Sequence, residues 1–186
     1  MNVGEEIVMA YLKYIKGCDF IQSNLYTPDA HGEIDVVGID IKNKKIYVCE
    51  VAIHLTTGLL YVDPINRSSN NVNKLVDKFS KDIEYANKYY PEYEKIVMLW
   101  SPIVKNQKIG SKQNQLNDVL EIKNIINKRY DIELLTVINN SFMEYINELR
   151  EYATRETKEN KSPIIRFLQI EEYLKKHIKN LEKINK

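Results

Sequence analysis

Two acidic residues occupy segments of the sequence that are otherwise apolar. The stretch GEIDVVGIDIKNKKIYVCEVAIH, residues 32–54, places Asp35 in one predicted strand and Glu50 in the next. Because side chains alternate faces along a strand, a hairpin in its natural register would point both carboxylates to one side. Their repulsion must be offset by a shared proton or a cation. Mg²⁺ suits this role, because it prefers oxygen ligands and keeps positions open for phosphate oxygen and water.

The elements that must position these carboxylates follow from the periodicity of apolar residues. We predict helices and strands in α/β order, with a hairpin of antiparallel strands and later helical crossovers around a mixed sheet. The predicted helices are 4–16, 71–89, 116–129, 141–153 and 163–184, and the predicted strands are 20–25, 34–41, 46–53, 96–100 and 132–138.

These motifs resemble the PD-(D/E)XK nuclease superfamily, which has the restriction-endonuclease-like fold. The similar residues are GEID at 32–35, the Glu-Val pair at 50–51 and GEEIVMAYL at 4–12, and the resemblance covers about residues 4–100. It implies an αβββαβ core within residues 1–139, followed by a C-terminal helical extension, residues 140–186. It also implies a Mg²⁺-dependent DNA endonuclease, with Mn²⁺ as a substitute. Asp35 and Glu50 would be metal ligands, and Glu5 would complete the site directly or through water.

The sequence departs from the family pattern at Ala52, where the family usually carries a lysine. Three interpretations stay open: another basic residue fills the role, metal alone suffices, or the protein binds DNA or a protein partner without cutting. His54, expected on the same strand face as Glu50, is the preferred replacement. Lys78 is expected about 120° from the centre of the apolar stripe of its helix, at the flank at best. Arg67 lies in a loop that the sequence does not position.

Partners and location are predicted from charge and composition. The net charge of the 186-residue chain is +1, so any DNA-binding surface must be local. Arg67 and the lysines of helix 71–89, Lys74 and Lys78 among them, either face solvent or contact DNA phosphates. No apolar run reaches the roughly 18 residues needed to span a bilayer. With no signal-peptide pattern and only two cysteines, we expect a cytoplasmic protein without a membrane partner.

The last predicted helix has an apolar seam, which His177 interrupts. This seam either packs on the protein's own core or forms a homodimer. Its apolar members are Phe167, Ile170, Leu174, Leu181 and Ile184.

Overall fold

A five-stranded mixed sheet with helices on both faces forms the protein. The computed structural model describes residues 2–28, 32–65, 68–106 and 114–184. The strands, in the order in which they pair across the sheet, are β1 (Phe20–Thr27), β2 (Gly32–Asp40), β3 (Lys45–Val51), β4 (Glu94–Ser101) and β5 (Leu135–Ile138). The first two pairings are antiparallel, and the last two are parallel. The predicted α/β class, with a mixed sheet flanked by helices, is confirmed.

In the described part of the chain, five helices cover the sheet. They are α1 (Val3–Tyr14), α2 (Asn71–Tyr89), α3 (Gln115–Tyr130), α4 (Asn139–Arg155) and α5 (Pro163–Ile184). Helices α1, α4 and α5 share one buried cluster with the sheet, centred on Tyr11 and Trp100. Helices α2 and α3 share a cluster on the other side, which includes Phe79, Leu99 and Ile122. Burying one such side chain contributes about 1.5–3 kcal/mol, so both layers hold the sheet firmly.

The hairpin register places the two carboxylates side by side. Val36 pairs with Cys49, and continuing the same antiparallel register sets Asp35 opposite Glu50. Cys49 belongs to the cluster beneath α1. Because alternate residues face opposite ways, Glu50 points to the α2 side of the sheet. Helix α2 is therefore the element that must complete any site built on these carboxylates.

The predicted strand 46–53 is too long, because β3 ends at Val51. The N–H of Ala52 still donates to the Trp100 carbonyl oxygen at 2.8 Å, but the chain then turns, and the N–H of Gly58 donates to the His54 carbonyl oxygen at 3.0 Å. His54 therefore lies in an exposed turn and not on the strand face of Glu50. The expectation that strand alternation would aim His54 at the site was wrong.

The predicted boundary between residues 139 and 140 falls where β5 leads directly into α4. Residues from both sides of it, Trp100 and Val137 with Phe142 and Leu149, pack in one cluster. The division into a core and a helical extension stays a prediction. Within the described residues, we find no helix that combines the length and the apolar character needed to cross a bilayer.

Candidate active site

The ammonium group of Lys78 lies between the two strand carboxylates. Its Nζ is 2.8 Å from Asp35 Oδ1 and 2.5 Å from Glu50 Oε2. The second oxygen of Asp35, Oδ2, accepts a hydrogen bond from the backbone N–H of Val51 at 2.7 Å. The structure thus brings together an aspartate from β2, a glutamate from β3 and a lysine from α2. Helical position had favoured this lysine less than His54.

Helix α2 presents Lys78 to the sheet because its buried face is wider than its apolar stripe. Asn71 and Asp82 are buried together with Leu75 and Phe79. These two polar residues lie on the same side of the helix as Lys78, so they shift the buried face towards it. The long stem of a lysine then lets the ammonium reach the carboxylates from the flank. An apolar pattern does not count buried polar residues, and it therefore placed Lys78 too far from the sheet.

A buried asparagine fixes the start of α2. The Nδ2 group of Asn71 donates to the Leu59 carbonyl oxygen at 2.9 Å and to Asp118 Oδ2 at 2.7 Å, and its Oδ1 accepts from the Tyr61 N–H at 2.7 Å. These bonds tie α2 to the preceding loop and to α3. The helix, and Lys78 with it, is therefore anchored at its first turn.

Burial dominates the electrostatics of Glu50. Its side chain is only 1% exposed. Burial, and then the neighbouring charge of Asp35, raise the pKa of Glu50 well above its ordinary value, although Lys78 opposes the shift. For Lys78, burial lowers the pKa, but the charges of Glu50 and Asp35 outweigh it and leave the pKa above its usual range. Lys78 is therefore a fixed positive charge at neutral pH and not a base.

Asp82 is a third carboxylate in this cluster, and sequence reasoning missed it. It lies one helical turn after Lys78 and is 2% exposed. Burial raises the pKa of Asp82 to about 7, while a hydrogen bond with Glu50 and the charge of Lys78 lower it in part. Two buried carboxyls side by side favour a shared proton. The i, i+4 spacing from a lysine in a helix was the available signal.

Glu5 lines the same cleft but is engaged at the start of α1. Its carboxylate accepts from the Asn2 N–H at 3.3 Å and from Asn24 Nδ2 at 3.2 Å, and Asn2 closes a capping box with it. Asn24 lies on β1 with a left-handed φ of 50°, which an asparagine tolerates better than most residues. Glu5 is thus 7% exposed and held in place at the edge of the site.

The cleft beside the cluster has a volume of about 410 Å³. Its walls carry side chains of both charges. Lys74, which the sequence left either facing solvent or contacting DNA, is exposed at its rim. The walls are formed by Glu5, Asn24, Gly32, Glu33, Asp35, Lys74, Asp77, Lys78, Lys81 and Asp82.

The two remaining candidates lie elsewhere. His54 is exposed, and its ring meets that of Tyr61 edge-on, with 6.3 Å between ring centroids. Burial, and then the charge of Glu50, raise the pKa of Tyr61. His54 does not line the cleft that contains Asp35 and Lys78. Arg67 is outside the described residues.

The carboxylate oxygens around Lys78 are possible ligands for a divalent cation. Among the described residues, no three His, Cys, Asp or Glu side chains form a metal-binding group. However, Glu50 Oε1 is buried and has no hydrogen-bond partner within that part of the chain. A buried carboxylate oxygen without a donor is costly, and either a cation or a proton shared with Asp82 would satisfy it. Mg²⁺ often binds through one or two carboxylates and otherwise through water and substrate phosphate, so Asp35 and Glu50 fit it.

Comparison of this chain with protein-family models, with curated proteins and with solved structures gave no match. The site must therefore be judged on its own chemistry.

Proposed function

We propose that this protein is a divalent-metal-dependent DNA endonuclease of the restriction-endonuclease-like class. Asp35 and Glu50 would hold Mg²⁺, or Mn²⁺ in its place, and Lys78 would take the role of the lysine that Ala52 lacks. The carrying observation is the position of Lys78 Nζ, 2.8 Å from Asp35 Oδ1 and 2.5 Å from Glu50 Oε2. The three residue types of the family motif thus meet in space, although one comes from a helix.

Each residue has a distinct role in this proposal. Asp35 and Glu50 would hold the metal, which would supply a polarised water and neutralise phosphate charge. The Val51 N–H fixes the direction of the Asp35 carboxylate. Lys78, held in its charged form, donates to a phosphate oxygen and stabilises the negative charge that develops as water attacks phosphorus. Lys74 at the rim would contact the DNA backbone.

One observation supports a second candidate, a nuclease-fold protein that binds DNA or a protein without cutting. The Lys78 ammonium already pairs with both carboxylates and offsets one of their two negative charges. A lysine that pairs with both carboxylates occupies the position where a cation would otherwise bind. In that case the cleft would serve recognition only.

The test of the proposed function is cleavage of plasmid, branched and single-stranded DNA. Each substrate is incubated with Mg²⁺, with Mn²⁺ and with chelator. We expect metal-dependent nicks or breaks, and we expect Asp35→Asn to abolish them while the circular dichroism spectrum is retained. Glu133→Gln, an exposed carboxylate after α3, is the matched control and should cut normally.

Two outcomes would contradict the proposal. Cleavage that persists in chelator would exclude the metal role. Absence of cleavage on every substrate, combined with measurable DNA binding, would favour the non-cutting candidate.

A second copy of the chain is also proposed as a partner, because two sites related by a two-fold axis suit the two strands of a duplex.

A further inference from the structure

The second half of α5 is exposed all the way around. Ile165 and Leu168, near its start, are buried against α1 and α4. From residue 173 to residue 183, however, every residue is exposed. A helical segment without packing partners gains little stability in water, because most helical stability in proteins comes from packing. Packing against a partner surface, which the described part of one chain does not provide, would stabilise this segment.

An apolar stripe runs along α5 and continues into the exposed half. Its five members are between 46% and 66% exposed: Phe167, Ile170, Leu174, Ile178 and Leu181. At 3.6 residues per turn they lie on one face of the helix. The predicted seam was interrupted at His177. In the structure the stripe is continuous there, because it passes through the next residue, Ile178. Ile184 is the last apolar residue of the predicted seam, and its side chain is not among those that the structure describes.

The spacing of this stripe reads the same in both directions. The successive separations are three, four, four and three residues, with Leu174 at the centre. A two-fold interface brings each residue of one copy against a symmetry-related residue of the other. A stripe that is symmetric about its own midpoint meets this requirement when the two helices run antiparallel. A parallel arrangement makes no use of that symmetry.

We propose that α5 pairs antiparallel with α5 of a second copy of this chain, on a two-fold axis that passes beside Leu174. Leu174 then contacts its own counterpart, Phe167 lies near Leu181 of the second copy, and Ile170 lies near Ile178 of the second copy. Burying large apolar side chains that are half exposed in one chain drives the association.

Charge complementarity favours the same arrangement. Glu171 and Lys175 lie one turn apart on the same flank of the stripe and pair within one chain at 2.9 Å. Antiparallel pairing about Leu174 places Glu171 beside Lys175 of the second copy, and the reverse pair follows by symmetry. In a parallel pair, that flank would face the flank of Tyr173 and His177, which offers no acidic partner. Opposite charges beside an apolar seam set the orientation of paired helices.

Site-directed cross-linking tests the orientation in the full chain. In Leu174→Cys, the two introduced thiols meet on the axis, so mild oxidation should yield a covalent dimer that reductant reverses. The native Cys18 and Cys49 are buried and should not contribute. Phe167→Cys alone should not cross-link, because the two positions would lie about 20 Å apart along an antiparallel pair. A mixture of Phe167→Cys and Leu181→Cys should cross-link. Asn180→Cys, away from the stripe, is the control.

Sedimentation equilibrium tests the association itself. The parent chain should be a dimer at micromolar concentration, and Leu174→Glu should be monomeric because it buries two like charges on the axis. Asn180→Glu should remain dimeric. A monomeric parent chain, a dimer that survives Leu174→Glu, or self-cross-linking of Phe167→Cys would each overturn the proposal. The inference does not rest on the proposed nuclease, since a chain that dimerises and cuts no DNA leaves it intact.

Discussion

Asp35 is bonded to the strand that carries Glu50. Its Oδ2 accepts from the backbone N–H of Val51, the residue after Glu50, at 2.7 Å. The separation of the two carboxylates is therefore set by the sheet and not by flexible side chains. Lys78 reaches both carboxylates from a different element, the helix α2. The carboxylates are thus held by the strands and the lysine by the helix, so replacing them should have different effects.

Replacing Lys78 with methionine should slow cleavage by about 100- to 1,000-fold, the usual cost of losing one group that stabilises transition-state charge. Methionine keeps most of the apolar stem of the side chain but removes the ammonium. Single-turnover rates on the preferred DNA measure the change. Lys123→Met, a surface change on α3, is the control. A cleavage rate equal to that of the parent would show that Lys78 is only structural.

Metal affinity should increase when Lys78 is replaced, although the cleavage rate decreases. The Lys78 ammonium competes with any cation for Asp35 and Glu50, so Lys78→Met should bind Mg²⁺ more tightly than the parent while cutting more slowly. Glu50→Gln should bind it more weakly, because a charged ligand is lost. Titration calorimetry without DNA measures both, and ligand binding should raise the unfolding temperature in parallel. Equal affinity in all three proteins would argue against a metal at these carboxylates.

If Lys78 fills the role of a lysine at position 52, substitutions at the two positions should have coupled effects on stability. Ala52 is 2% exposed and packs beneath α2, so Ala52→Lys alone should destabilise the fold by about 1–3 kcal/mol through crowding. It also adds a second cation beside the first. In the double variant Ala52→Lys with Lys78→Ala, the loss should be smaller than the sum of the single losses. Urea unfolding of the four proteins gives the coupling free energy, and strict additivity would mean that the two positions do not share one site.

Asp82 should make stability fall as pH rises. Its pKa is raised to about 7 in the folded protein, mainly by burial, so the folded state keeps a proton that the unfolded state has released. Between about pH 4 and pH 7 the free energy of unfolding should then decrease with pH, with a slope of at most about 1.4 kcal/mol per pH unit from this group. Above that range its contribution is constant.

The matching variant is Asp82→Asn, which removes the titration and keeps the shape. Urea unfolding in chelator at several pH values should show a flatter profile than the parent, and the difference should favour the variant at pH 8. Parallel profiles would show that Asp82 does not hold the proton.

The sequence predicted the fold well where the pattern of apolar residues was complete. The bounds of α2 and α5 match the prediction, and Asp35 and Glu50 fall on neighbouring strands as expected. The end of β3 was missed because Ala52 and Ile53 are as apolar as the strand before them, and only the turn that follows shows where pairing stops.

The lysine was harder to predict than the carboxylates. Its position depends on Asn71 and Asp82, two buried polar residues that an apolar pattern treats as exposed. Their burial is decided by tertiary contacts, such as the bond from Asn71 to Asp118, which no local pattern contains. Glu5 was predicted near the site and lines the cleft, but its capping box with Asn2 is a local feature that also explains a glutamate there.

A helix-borne lysine makes the site sensitive to heat in a way that a strand-borne lysine would not. The carboxylates lie on two paired strands of the sheet, whereas the ammonium belongs to α2, which packs on the sheet through Phe79 and Ile83. A small rise of the helix would separate the charges before the sheet unfolds. Activity should therefore be lost several degrees below the global melting temperature and return on cooling, and Phe79→Leu should lower that inactivation temperature more than it lowers the melting temperature.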